Sequence, residues 1–544
     1  MNTQLAQQIR VLIVDDQILA KGYLKYTMEE LGFQDISYID SAEEARRTIS
    51  ESNFDLVVCA YDLKEEKEGY FLYEQLKAHQ LLPLATAFVF ISADTTAEIV
   101  HSIVELQPDE FLAKPFSVSE LDKRLSRVLV RKQSLKPIYT LMDANAFPAA
   151  LEELERFLTE PKNAEFFPLA LRIKGELLML CGRTHEAEDF YQAIINVQDF
   201  TWARLGLIRC YIELDKDDEA EKLILRLAFQ PDAMLSAYDL LTALQIKQQA
   251  FDDALESVNL ASGISPRNVH RHKKAVTLSR LTHDYEMQFD AAKRVVKYAK
   301  HSIHDKPENY LNVARAGIDF AMTADTKETQ VLVHQAKDFI RQMKSAFPKA
   351  QLDSELTVIN ARLYYLDDET EKAKNLLGQL SNETWEQEST EALMDRAKAF
   401  HEVGLQEHAL AILDTIEQRC LADEQENNLL LHYVKQEKFE KSTIAHSPKA
   451  LNNIAVAYYH QGNTQQALHA FRQAFTVMPK NPAIAINLIQ TTATEIRAQR
   501  ASNNAATREL LYNCMTTVET ATLTDEQQER YQKLKKTVRT LVDI

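Results

Sequence analysis

The sequence predicts an α/β domain built on a five-stranded parallel sheet, followed by an all-α solenoid of paired helices. Three observations lead there. Between Arg10 and about Leu129, short continuous apolar runs alternate with amphipathic stretches at helical spacing. Beyond Lys136-Pro137 the strand-like runs stop, while helical spacing continues almost to the last residue. In that second region Ala187, Ala220 and Ala254 open similar helices 33 and 34 positions apart.

The elements of the first region follow in order. VLIV at 11–14 reads as a buried strand and 18–31 as a helix; ISYI at 36–39 and 42–50 form the second such pair. DLVVCA at 55–60 precedes a helix over 70–79, and AFVFIS at 87–92 precedes one over 95–105. EFLA at 110–113 is the fifth strand, and 119–129 the helix that closes the domain. Continuously apolar strands need cover on both faces, which alternating helices supply. Five such units fit a flavodoxin-like doubly wound domain over residues 1–130. A linker is expected at 131–137 and the solenoid over 138–544.

The clearest copy of the helical repeat runs from Pro448 to Asn481. There Leu451, Ile454, Ala455, Tyr458, Gly462, Ala467, Phe471, Ala474 and Pro479 fall at the offsets of the tetratricopeptide pattern. Ala455 and Ala467 let two helices approach, Tyr458 and Phe471 fill the space between hairpins, and Pro479 ends the second helix. Eroded copies surround Ala373 and Ala409, the latter with Gly404 in its turn. ERYQKLKKTVRTLVDI at the end reads as a polar-faced capping helix.

Composition narrows the function. With only 11 Gly and 14 Pro, the chain suits helices better than turn-rich β structure. A net charge of -18 repels phosphate backbones, and no local basic patch offsets it, so no nucleic-acid partner is expected. The cysteines (Cys59, Cys181, Cys210, Cys420, Cys514) lack metal-ligand spacing and read as reduced thiols. MNTQLAQQIR carries no apolar signal core, and no stretch is long enough for a membrane span, so a cytoplasmic protein without a membrane partner is expected.

In an open parallel sheet, ligands sit at the carboxyl ends of the strands. Strand one ends in Asp15-Asp16, strand four in Ser92, and strand five in Lys114-Pro115, with Phe111 three residues before the lysine. Two adjacent carboxylates, a hydroxyl and an ammonium at one rim suit Mg²⁺ together with an anionic group.

VLIVDD, FISA and FLAKPF, each at its strand end, make residues 8–130 resemble the receiver domain of two-component response regulators. The resemblance implies Mg²⁺ binding by Asp15, Asp16 and the backbone carbonyl of Asp62. It implies that Ser92 and Lys114 contact a phosphoryl group, with Phe111 as an aromatic switch. The phospho-accepting Asp of such receivers falls at Ala60, counted from Asp55. A methyl group accepts no phosphate and ligates no metal, and Asp62, two residues on, is a poor substitute. Because the rest of the set is present, the chain reads as an engineered non-phosphorylatable variant of a working receiver. A natural pseudo-receiver scaffold is the alternative. The loop LKEEKEG after Asp62 lacks the Pro common in the family.

The solenoid shows no nucleotide loop, metal motif or nucleophile–base pair. HRHKK at 270–274 and HSIH at 301–304 read as solvated loops, and Trp202 and Trp385 as inter-helix packing. The whole resembles response regulators with tetratricopeptide-repeat output, which implies a non-enzymatic, protein-binding adaptor. Implied partners are a sensor histidine kinase and another response regulator, such as an EAL-type phosphodiesterase acting on cyclic di-GMP. Homodimerisation through the receiver is also implied. The rival reading is a repeat-domain phosphatase acting on another regulator.

Overall fold

The computed structural model describes residues 6–63, 69–94, 96–324, 326–380, 385, 388–422, 428–498 and 504–542. The loop singled out above lies largely outside these, at 64–68.

Five parallel strands form one sheet in the order β2-β1-β3-β4-β5. They are β1 (Arg10–Val14), β2 (Asp35–Ile39), β3 (Leu56–Ala60), β4 (Ala87–Ser92) and β5 (Glu110–Ala113). The helices between them are α1 (Ile18–Glu30), α2 (Ala42–Glu51), α3 (Gly69–Ala78) and α4 (Ala97–Leu106). Every residue of β3 and β4 is buried, as continuous apolar runs require in a sheet covered on both sides. The order reverses beside β1, so the carboxyl ends of β1 and β3 flank the switch point.

The closing helix is longer than the sequence reading allowed. It is α5 (Val118–Asp143), with Pro137 inside it, so the stretch 131–137 is helix and not a linker. Ser117 caps its first turn by accepting from the Glu120 amide. A proline inside a helix costs about 3 kcal/mol. Burial of Leu135, Ile138 and Tyr139 in the core of the first repeat helices offsets that cost.

The rest is helical: α6 (Phe147–Thr159), a 3₁₀ turn, α7 (Phe167–Leu180), α8 (Thr184–Val197), α9 (Thr201–Glu213), α10 (Asp217–Leu227), α11 (Met234–Lys247) and α12 (Phe251–Ile264). Then come α13 (Val269–Leu281), α14 (Tyr285–Ala299), α15 (Pro307–Ala321), α16 (Thr326–Ala346), α17 (Asp353–Leu366) and α18 (Thr370–Leu380). The last are α19 (Thr390–Glu402), α20 (Gln406–Ala422), α21 (Asn428–Thr443), α22 (Pro448–His460), α23 (Thr464–Val477), α24 (Pro482–Arg497), α25 (Ala505–Thr520) and α26 (Asp525–Val542). No helix among the described residues is long and apolar enough to cross a membrane.

The chain divides into two compact units. One comprises residues 1–271 and 298–305; the other comprises 272–297 and 306–544. In the first, the Tyr191 ring sits between Gly175 and Gly206, and Trp202 stacks on Phe200 with centroids 5.6 Å apart. In the second, Ala455 and Ala467 are fully buried where α22 and α23 cross, and Tyr531 and Val538 of α26 are buried against the same core.

The second unit also buries charge. The Arg362 guanidinium, nearly inaccessible, meets Asp319 at 2.8 Å, Asp395 at 2.7 Å and Glu402 at 2.6 Å. Burial pushes the Asp319 carboxyl upward, but Lys398 and Arg362 outweigh it and hold the group well below the usual carboxylate range.

Candidate functional site

The ladder register builds the site. Val14 pairs with Cys59, so Asp15 emerges from β1 one step on, where Ala60 ends β3. Ala60 pairs in turn with Ile91, next to Ser92. Ser92 pairs with Ala113, and its carbonyl accepts from the Lys114 amide at 2.7 Å. Neighbouring strands lie about 4.8 Å apart, so these four ends share one rim.

Two of the residues touch directly. The Lys114 ammonium donates to Asp15 Oδ2 at 3.2 Å, and the Asp15 side chain is 1% exposed against 26% for Lys114. Asp15 Oδ1 accepts from the Gln17 amide at 2.9 Å, which fixes the carboxylate across the start of α1. Ser92 is buried, and its hydroxyl accepts from the Asp94 amide at 3.0 Å. Asp16 is half-buried beside Asp15, and Asp62 is exposed beyond β3. Phe111 lies opposite Phe90 in the ladder and packs, partly buried, on the core that holds Ile99 and Ile103 of α4.

As a metal site, this rim offers the Asp15 and Asp16 carboxylates, while Ala60 contributes no side-chain oxygen. Among the described residues no group of three or more His, Cys, Asp or Glu side chains converges to hold a metal. The donor set therefore fits a hard divalent cation only in part. Cys59, one residue before the alanine, is fully buried; burial, then the Asp15 carboxylate, pushes its thiol far above the usual range.

Two functional positions escaped sequence reasoning. A Cβ on Gly69 would stand 2.0 Å from the Ala60 carbonyl oxygen, so α3 can begin against the site only with glycine there. Its amide donates to the Tyr61 carbonyl at 2.7 Å. The second is Glu105, near the end of α4. It accepts from Ser265 at 2.6 Å and from Asn268, and it meets Arg271 at 2.9 Å. On α3, Tyr70 lies 5.9 Å from the Arg267 guanidinium, and Glu74 meets His304 at 3.4 Å. The sheet domain thus docks on the helical pairs through α3 and α4.

That docking corrects the reading of residues 270–274 as a solvated loop, whereas 301–304 are turn, with His301 exposed. Residues 270–274 belong to α13, His272 is buried, and His270 stacks edge-on against His304 at 4.8 Å. A basic run looks solvated only while its acidic partners are unknown.

Comparison with known proteins fits this geometry. Residues 11–126 match the family model described as the response regulator receiver domain, and residues 448–481 match the tetratricopeptide repeat. The chain therefore carries a receiver domain joined to tetratricopeptide-repeat structure. Among relatives, it is 25% identical over 124 residues to a probable chemotaxis protein CheY of Rhizobium etli, covering 23% of this chain and 95% of that protein. It is 28% identical over 123 residues to the transcriptional regulatory protein GltR of Pseudomonas aeruginosa, covering 23% of this chain and half of that one. The chemotaxis protein CheY4 of Vibrio cholerae aligns with a TM-score of 0.21 at 21% identity, over 22% of this chain and 98% of that one.

Proposed function

We propose that the chain is a two-component response regulator whose output is protein binding, not DNA binding or catalysis. The observation that carries this reading is the Lys114–Asp15 pair at the sheet's carboxyl rim, with Ser92 beside it and Ala60 between them in the ladder. In this reading Ala60 occupies the phospho-acceptor position. Asp15, Asp16 and the Asp62 carbonyl would hold Mg²⁺, which screens charge between carboxylates and an incoming phosphoryl group. Ser92 and Lys114 would contact that group, and Phe111 would follow Ser92.

A sensor histidine kinase is the proposed donor. Ile18 and Leu19, 86% and 89% exposed at the start of α1, together with Tyr23 and Tyr26, offer an apolar patch next to Asp15-Asp16. The helical arm would bind a second protein, a sensor kinase or a cyclic-di-GMP phosphodiesterase regulator, in a cytoplasmic setting. A complete set around a single alanine favours substitution of a working acceptor over natural decay.

The route from site to arm runs through α4, which follows β4 and Ser92 and ends on Arg271. A phosphoryl group drawing Ser92 towards it would move α4 and bias that docking.

Restoring the acceptor tests the reading. With Mg²⁺ and labelled acetyl phosphate, Ala60→Asp should take up label, the chain as it stands should not, and Ala60→Asp with Lys114→Ala should lose most of it. A folded Ala60→Asp protein that stays unlabelled defeats the proposal.

A further inference from the structure

On the sheet face that carries α2 and α3, one cation stands without an anion. Ala45 and Ile49 of α2 are buried in the same core as Tyr73 and Leu76 of α3, so the two helices flank a common seam. Arg46, one residue past Ala45, is half-buried, and its guanidinium makes no hydrogen bond or ion pair with a described residue. Arg124 and Arg131, the other half-buried arginines of the receiver domain, hold Glu110 and Asp109. Gln75 on α3 is also half-buried, and its carboxamide makes no hydrogen bond with a described residue.

Arg46 and Gln75 line one cavity of about 290 Å³, closed on its far side by the turn at 301–303. Phe71, Leu72 and Ile303 give it apolar walls, and the exposed Glu43 stands on its rim. That turn belongs to the segment 298–305, which packs in the same compact unit as the receiver. It is held at the next residue, where His304 meets Glu74 of α3 at 3.4 Å and the His270 ring at 4.8 Å.

We propose that this cavity binds a small monocarboxylate with a flat apolar body, an aromatic acid being the simplest. The planar guanidinium fork matches a carboxylate with two parallel hydrogen bonds. The Gln75 amide can donate to the same group, while Phe71 and Ile303 cover the ring. The volume falls just short of the about 300 Å³ at which ligand pockets begin, too little for a nucleotide. Glu43 and the net charge of -18 act against more highly charged anions. This site goes beyond the adaptor reading and does not depend on position 60. Its walls come from the receiver and from the 298–305 turn, so an occupant favours their docked arrangement by mass action.

Benzoate titrated into the full chain by calorimetry tests this. Saturable binding is expected, with a Kd of about 1 mM or tighter. Benzamide, alike in shape but uncharged, should bind at least tenfold more weakly. Arg46→Gln should lose benzoate at least tenfold while keeping its circular dichroism and melting profile, and Arg46→Lys, a charge without the fork, should fall between. Ile303→Trp, which fills the cavity from the turn, should abolish binding with Arg46 intact. In the unaltered chain benzoate should slow hydrogen exchange at 69–78 and 298–305, and in Ile303→Trp it should not. No saturable binding, equal affinity for benzamide, or full affinity in folded Arg46→Gln each overturns the proposal. Inorganic phosphate bound in preference to benzoate overturns the carboxylate assignment. Should Arg46→Gln fail to fold, undiminished binding by Ile303→Trp defeats the proposal by itself.

Discussion

Glu105 on α4 and Arg271 on α13 form an ion pair at 2.9 Å, although 166 residues separate them in sequence. Arg271 is 6% exposed and is also held by Asp239 at 2.6 Å, so its charge is neutralised from both the receiver and the repeats. Glu105→Gln keeps the side chain's shape and one acceptor but discards the charge. We expect it to weaken the docking by about 1.5–3 kcal/mol, the range for a hydrogen bond to an ionised group. Hydrogen exchange should then quicken in 97–106 and 265–271 while the central strands stay protected. Uniform protection in both segments would show that α4 does not anchor the receiver.

Metal affinity tests the role proposed for position 60. Mg²⁺ held by Asp15 and Asp16 alone would be weakly bound, whereas a carboxylate at 60 would offer a further oxygen ligand. Calorimetric titration should find Ala60→Asp binding Mg²⁺ at least tenfold more tightly than the chain as it stands. Equal affinities would place the metal away from this rim.

Gly206 makes a sharp packing prediction. A Cβ there would fall 2.3 Å from the Tyr191 ring, itself buried between α7 and α9. Gly206→Ala should destabilise the first unit by about 1–3 kcal/mol, as overpacking does. Trp202, whose ring lies 6.3 Å from Tyr191, reports it by fluorescence in a Trp385→Phe background. Adding Tyr191→Leu should recover part of the loss; no loss in the single variant would contradict the tight approach.

How much was legible in the sequence follows from how local each determinant is. Fully buried strands announce themselves as VLIV, LVVC and AFVFIS, and their ends carry Asp15, Ala60, Ser92 and Lys114, so sheet and rim could be read together. Pro137 misled because the local rule against proline in a helix was overridden by burial of Leu135 and Ile138. Arg271, Arg280 and Arg362 look like solvated charges until carboxylates 32 to 166 residues away arrive beside them. Gly69 carries no local signal at all, since its need arises only where α3 meets the Ala60 carbonyl.

His401 supplies a pH test of the second unit. Its Nε2 lies 2.7 Å from the Ile444 carbonyl, and 6% of the residue is exposed. Burial, reinforced by the nearby Lys441 ammonium, lowers its pKa to about 4, while the Ile444 carbonyl and Glu437 pull the other way. A neutral imidazole is thus the folded form, and the unfolded chain takes up the proton first as pH falls. The stability is fully present above about 6.5, declines as pH drops from there, and is exhausted near 4. Between pH 7 and pH 5 the loss should reach about 2 kcal/mol. His401→Gln keeps a donor for Ile444 but cannot titrate. Urea unfolding followed by Trp385 in a Trp202→Phe background should therefore show a shallower pH dependence in the glutamine variant. Parallel curves for the two proteins would mean that His401 charges freely in the folded state.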